Sequence, residues 1–221
     1  MKLYRFAYSP YARKVQMLLD LMGARYELVD VDYLDRHALA NLTSGYLYVP
    51  VLVTDSKKVI TDSRSICEYL LQGEVGERLV PAPQQGPIWG YADFCDGPLE
   101  YELFRIASPS VRDAWPNAFA RGLYVMIKER KFGVGCVDAW ERDRAVLIAQ
   151  AQELLEPSLR TLAARPFLFG ERPTLADAAL YGLCAMMEWA QLLDALAPAL
   201  TDYARRVERA APIGPLAAHS R

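Results

Sequence analysis

The run Pro81-Ala82-Pro83-Gln84-Gln85-Gly86-Pro87 constrains this chain more than any other stretch. Three prolines and a glycine in seven residues interrupt helix and strand alike, and the residue pattern changes across them. Before the run, short β-branched segments alternate with helically spaced apolar ones. After it, every periodic segment repeats at helical spacing. The expectation is a mixed α/β unit over 1–80, a linker over 81–87 and an all-α unit over 88–221.

Within the first unit, Leu3 to Ala7 reads as a strand, and Ser9-Pro10 as an N-cap followed by a first helical residue. Val15, Leu18, Leu19 and Met22 recur at helical spacing up to Gly23. Tyr26 to Val31 reads as a strand, and Leu34 to Leu42 as a weaker helix. Val49 to Thr54 and Lys58 to Thr61 read as a hairpin, with Asp62-Ser63 capping a helix that ends at Gly73. The order is βαβ, then α, then ββα. Beyond the linker, helices are predicted over 88–106, 118–132, 138–164, 174–193 and 198–210. Ser108-Pro109 is expected to end the first of these, and Glu156-Pro157 to perturb the third.

Composition removes several function classes. The residues are 52% hydrophobic and 24% charged, with a net charge of −2, so no electrostatic case exists for nucleic acid or an anionic membrane as partner. No apolar run reaches the ~18 residues that cross a bilayer, and the start lacks a signal-peptide pattern, so a soluble cytoplasmic protein is expected. The four cysteines are widely spaced and read as free, mostly buried thiols. His37 and His219 are the only histidines and join no metal-ligand cluster, so no metal is expected.

Three short motifs carry the chemistry. Ser9-Pro10-Tyr11-Ala12 places a hydroxyl where a helix begins, and partial positive charge there favours an anion. Read alone, Ser9 is only a cap; Tyr8 and Tyr11 are rival hydroxyls. Val49-Pro50 puts a residue without an N–H at the head of a strand, which needs a reason. Asp62-Ser63 offers a helix amino end suited to a carboxylate, although an Asp-Ser cap is common in its own right. In the second half, Thr174 and Asp177 have capping-box spacing after Pro166-Phe167-Leu168-Phe169-Gly170.

In this order and spacing, over roughly residues 1–193, the motifs resemble those of the cytosolic glutathione transferases. The resemblance implies a thioredoxin-like N-terminal domain, an all-helical C-terminal bundle and transferase chemistry with glutathione as co-substrate. Ser and Ala stand where glutaredoxin-like relatives carry Cys-Pro-Tyr-Cys, which removes thiol–disulfide exchange at this loop. The resemblance assigns Ser9 to the sulfur, Val49 beside a cis Pro50 to the cysteinyl backbone, and Asp62 with Ser63 to the γ-glutamyl end. Many relatives place Lys, Arg or Gln before Val-Pro; here it is Tyr48, with His37 or Arg36 on the second helix as compensating groups. The second substrate is expected to be a small apolar or aromatic electrophile held near Tyr101 and Phe104, beside Tyr91, Phe94 and Trp115. The basic run Arg121, Lys128, Arg130 and Lys131 reads as a solvated helix face or subunit contact. A homodimer is implied by resemblance alone. The rival is a transferase-fold interaction protein without turnover.

Overall fold

The structure is a computed structural model that describes residues 1–212. Its first half runs β1 (Lys2–Arg5), α1 (Pro10–Met22), β2 (Glu27–Asp30), α2 (His37–Thr43), β3 (Val51–Val53), β4 (Val59–Thr61) and α3 (Ser63–Leu70). The four strands form one sheet in the order β2-β1-β3-β4. β1 pairs parallel with β2, whereas β3 runs antiparallel to both β1 and β4. This is the βαβ-α-ββα order that the alternating pattern predicts and the thioredoxin-like plan that the resemblance implies.

Register decides where the loops meet. Tyr4 lies opposite Val51, and Val51 lies opposite Thr61. The C-terminal end of β1, the start of β3 and the end of β4 therefore share one edge of the sheet. The segments continuing from that edge are Phe6–Pro10, Val49-Pro50 and Asp62-Ser63. Three motifs far apart in sequence arrive at one place because a strand's reach fixes its ends.

Helix α1 starts and stops as its residues dictate. The Ser9 side chain accepts from the Ala12 amide, Pro10 opens the first turn, and Gly23 at φ +68° closes the last. Val15, Leu18 and Leu19 are fully buried against Leu3, Leu52 and Ile66. Each such side chain contributes about 1.5–3 kcal/mol by leaving water.

Past α3 come α4 (Glu74–Leu79), a short 3₁₀ turn (Ala82–Gln84) and α5 (Gln85–Phe94). α4 was not expected; its cap, Gly73, offers no side-chain hydrogen bond that would mark it. The predicted 88–106 helix is interrupted by a π turn, Cys95–Leu99, around Gly97-Pro98. α6 (Glu100–Asp113) then carries Pro109 inside it instead of ending there. An interior proline costs about 3 kcal/mol. Burial of Ile106, Ala107, Pro109 and Val111 offsets that cost, with Ser108 accepting from the Tyr124 hydroxyl at 3.1 Å.

The remaining helices are α7 (Ala118–Phe132), α8 (Cys136–Arg142), α9 (Arg144–Ala164), α10 (Leu175–Trp189), α11 (Leu193–Leu196) and α12 (Pro198–Ala210). The single helix expected over 138–164 is two, broken at Asp143, while Pro157 sits inside an unbroken α9. α10 is buried along nearly its whole length and packs against α1. Its Gly182 has no room for a side chain: a Cβ there would lie 2.4 Å from the Pro10 carbonyl oxygen. The tail after Ala210 reads as a loose end or a cover for the site; beyond Pro212 it lies, with His219, outside the described residues.

Candidate functional site

A cavity of about 620 Å³ opens between the sheet edge and helices α6 and α7. Tyr8, Ser9, Pro10 and Tyr11 line it from the α1 side, Tyr48 and Val49 from the head of β3, and Phe104 and Tyr124 from the helical half. A larger open groove of about 940 Å³, walled by Arg64, Glu68 and Trp89 among others, includes none of the predicted site residues.

Ser9 is nearly buried, at 7% exposure. Its Oγ accepts from the Ala12 amide at 3.3 Å, a bond that does not use the hydroxyl hydrogen. The rival hydroxyls are placed differently. Tyr11 donates to the Asp96 carbonyl at 3.2 Å, so its proton is already engaged. The Tyr8 ring belongs to an aromatic cluster with Phe6, Trp115 and Trp189, and burial pushes its hydroxyl well above the usual tyrosine range. Of the three, Ser9 is the hydroxyl on the cavity wall that sits at the α1 amino end.

Val49-Pro50 is a cis peptide, as the motif implies. Val49 is on the cavity wall, whereas Pro50 is buried beneath it. Asp62 and Ser63 lie at the same sheet edge but outside that wall. Asp62 caps α3 by accepting from the Ser65 amide at 3.0 Å, and it does so at φ +71°. A non-glycine residue in that region carries about 1–3 kcal/mol of strain, a feature concentrated at functional positions. Ser63, at the first position of α3, is 7% exposed. The first-turn amides of α3 face away from the helix's own hydrogen bonding, as at any helix start.

Not every predicted residue converges here. Tyr101 is off the cavity wall, 46% exposed, with Arg105 over its ring and Phe132 beside it. His37 is exposed and bonded to Asp35 at 2.9 Å, also off the wall. Tyr48 reaches the wall yet remains 68% exposed, stacked edgewise on Tyr46. Arg36 is on the wall instead of His37, held by its bonds to the carbonyls of Leu47 (2.9 Å) and Tyr33 (3.2 Å).

The residues that sequence reading missed are charged. Lys128, read as part of a solvated face, points into the cavity with Arg130, and Glu100 stands among the lining residues with them. The missed signal was Tyr124, fully buried and one turn before Lys128 on the same helix face. Burial holds the Lys128 ammonium down to about 8, helped by Lys131, and pushes the Glu100 carboxyl up to about 7. Among the described residues, no cluster of three or more His, Cys, Asp or Glu side chains is arranged to hold a metal ion.

Comparison with known proteins places this geometry. The family model for the glutathione S-transferase N-terminal domain matches residues 3–78. A glutathione S-transferase of Arabidopsis thaliana, U3, is 37% identical over 75 residues, a stretch covering 33% of each chain. The chain spans about a third of the length of the first curated relatives it matches. Across nearly the whole chain the fold resembles two solved glutathione S-transferases. One, from Rhodospirillum rubrum, is 23% identical, with TM-score 0.69 over 94% of this chain and 87% of that one. The other, from Ceriporiopsis subvermispora and solved with glutathione, is 18% identical, with TM-score 0.73 over 93% and 96%.

Proposed function

We propose that the chain, whose residues 3–78 match the glutathione S-transferase N-terminal domain and whose fold resembles solved glutathione S-transferases, binds glutathione and activates its thiol against a small apolar or aromatic electrophile. One observation carries the reading: sheet register brings the Ser9, Val49 and Asp62-Ser63 segments to one edge, beside a cavity that Ser9 and Val49 line. Ser9 donates to the sulfur, and the α1 amino end adds favourable potential for a thiolate. Lowering a thiol that titrates near ~8.5 by about two units stabilises the anion by roughly 2.7 kcal/mol. Val49 meets the cysteinyl backbone through its main chain. Ser63 and the α3 amino end take the γ-glutamyl carboxylate, with Asp62 facing the ammonium. Arg36 supplies the charge that Tyr48 lacks for the glycine carboxylate.

In the reaction, the thiol proton leaves to solvent and the sulfur lone pair forms a bond to the electrophilic carbon. Either a leaving group departs with its bonding pair or the adduct takes up a proton. A cytoplasmic homodimer is part of the same proposal.

The test is a glutathione titration followed by conjugation of a generic aromatic electrophile across pH 5–9. Thermal stabilisation by millimolar glutathione, and turnover whose apparent pKa lies about two units below that of a free thiol, support the enzyme. Absence of any shift with glutathione would replace it with a transferase-fold interaction protein, the reading that the uncharged Tyr48 favours.

A further inference from the structure

The cavity wall is apolar over most of its area but its ionisable side chains are unbalanced. Arg36, Lys128 and Arg130 face it against Glu100 alone. Lys128 is the most telling of these. Its Nζ lies 4.8 Å from the Phe104 ring centre and 4.7 Å from that of Tyr124, held over two aromatic faces. Among the described residues it has no hydrogen-bonded or ion-paired acid. Ring faces compensate a half-buried ammonium only in part. A cation so placed beside an apolar chamber is matched by an aromatic molecule that brings its own negative group.

Resting on the glutathione reading above, we propose that the second substrate is an aromatic or apolar electrophile bearing a carboxylate or similar anion, which Lys128 engages. The rings of Phe104, Tyr124 and Tyr33 hold the apolar body. The anionic end lies toward α7, with Arg130 adding long-range attraction. Glu100 opposes this when ionised, so its protonation favours anion binding.

Two sources of carboxylate compete for Lys128: the electrophile and glutathione itself. Calorimetry on the full chain separates them, using 1-naphthoate, its uncharged counterpart 1-naphthamide, and glutathione as probes. Naphthoate is expected to bind at least roughly 10-fold more tightly than naphthamide, as a charge-assisted contact allows. Lys128→Met removes that preference, Lys128→Arg restores most of it, and glutathione and naphthamide affinities change less than about 2-fold. The naphthoate preference also weakens between pH 6 and 9. In that range Glu100 gains charge and Lys128 loses it, with Lys131, Arg36 and Cys136 the other groups acting on Lys128.

Equal affinity for the two naphthalenes overturns the proposal. So does a Lys128→Met loss shared by both, which marks a structural lysine, or a loss confined to glutathione, which assigns the ammonium to the tripeptide. Failure of both naphthalenes to bind overturns it as well. If glutathione fails to bind while the naphthoate pattern holds, the thiol reading falls and the anion subsite stands.

Discussion

Two helix amino ends in this protein are finished in opposite ways. At the start of α10 the Asp177 carboxylate is fully buried and accepts from the Leu168 amide (3.0 Å), the Thr174 amide (2.8 Å), the Thr174 hydroxyl (2.9 Å) and the Tyr203 hydroxyl (2.9 Å). At the start of α1 the Ser9 hydroxyl accepts one longer bond from Ala12 and faces a cavity. Both ends carry an ordinary capping sequence. What separates a structural cap from a site is the hydrogen-bonding capacity left over. The first end has its capacity filled by the protein; the second keeps a donor for something else.

The two are also coupled, since α10 packs on α1 and Gly182 touches the Pro10 carbonyl. The Lys14–Asp96 ion pair adds a second tie, from α1 to the π turn. A helix with a firmly closed end thus packs along its body against the start of the open one.

The largest way to test this contrast is Asp177→Ala. It strands two amides and two hydroxyls in the core, and a loss of about 3–5 kcal/mol is expected in denaturant unfolding. A loss below about 1 kcal/mol would mean that these bonds do not hold the end closed. Ser9→Ala should show the reverse profile. Turnover at pH 6.5 falls roughly 10²-fold, equivalent to about 2.7 kcal/mol on the barrier, while unfolding shifts by about 1 kcal/mol or less. Equal activity in wild type and variant would strip Ser9 of its role.

Gly182→Ala probes the contact between the middle of α10 and the start of α1. With its new methyl meeting backbone at 2.4 Å, the helices must separate, costing about 1–3 kcal/mol. Because the displaced atoms belong to the site-bearing turn, kcat should fall with stability; melting curves and kinetics on one preparation test whether the losses travel together. The smallest change is Tyr203→Phe, which removes one of the four bonds to Asp177 and should cost about 1 kcal/mol with kcat unchanged. An activity loss there would show that the closed end reaches the chemistry directly.

Much of this arrangement was readable from residues. The βαβ-α-ββα order, the Ser9 and Asp62 caps and the Thr174–Asp177 box are local statements, and local energetics enforce them. The failures share one cause. Pro109 signals a helix end and Pro157 a perturbation, yet both lie within continuous helices because burial and neighbouring turns outweigh the lost hydrogen bond. Tyr101 and Phe104 carry the same aromatic signal three residues apart, but only Phe104 reaches the cavity. Lys128 sits in a basic run that reads as solvated, and the inward face of α7 is set by what packs against it.

By itself, then, the amino-acid order determined the elements, their caps and the family likeness, since each depends on interactions within a few residues along the chain. Which hydroxyls line the cavity, which arginine reaches its wall, and which lysine joins them were decided only when sheet register and helix packing joined distant segments. Those contacts span sequence separations that no local pattern encodes.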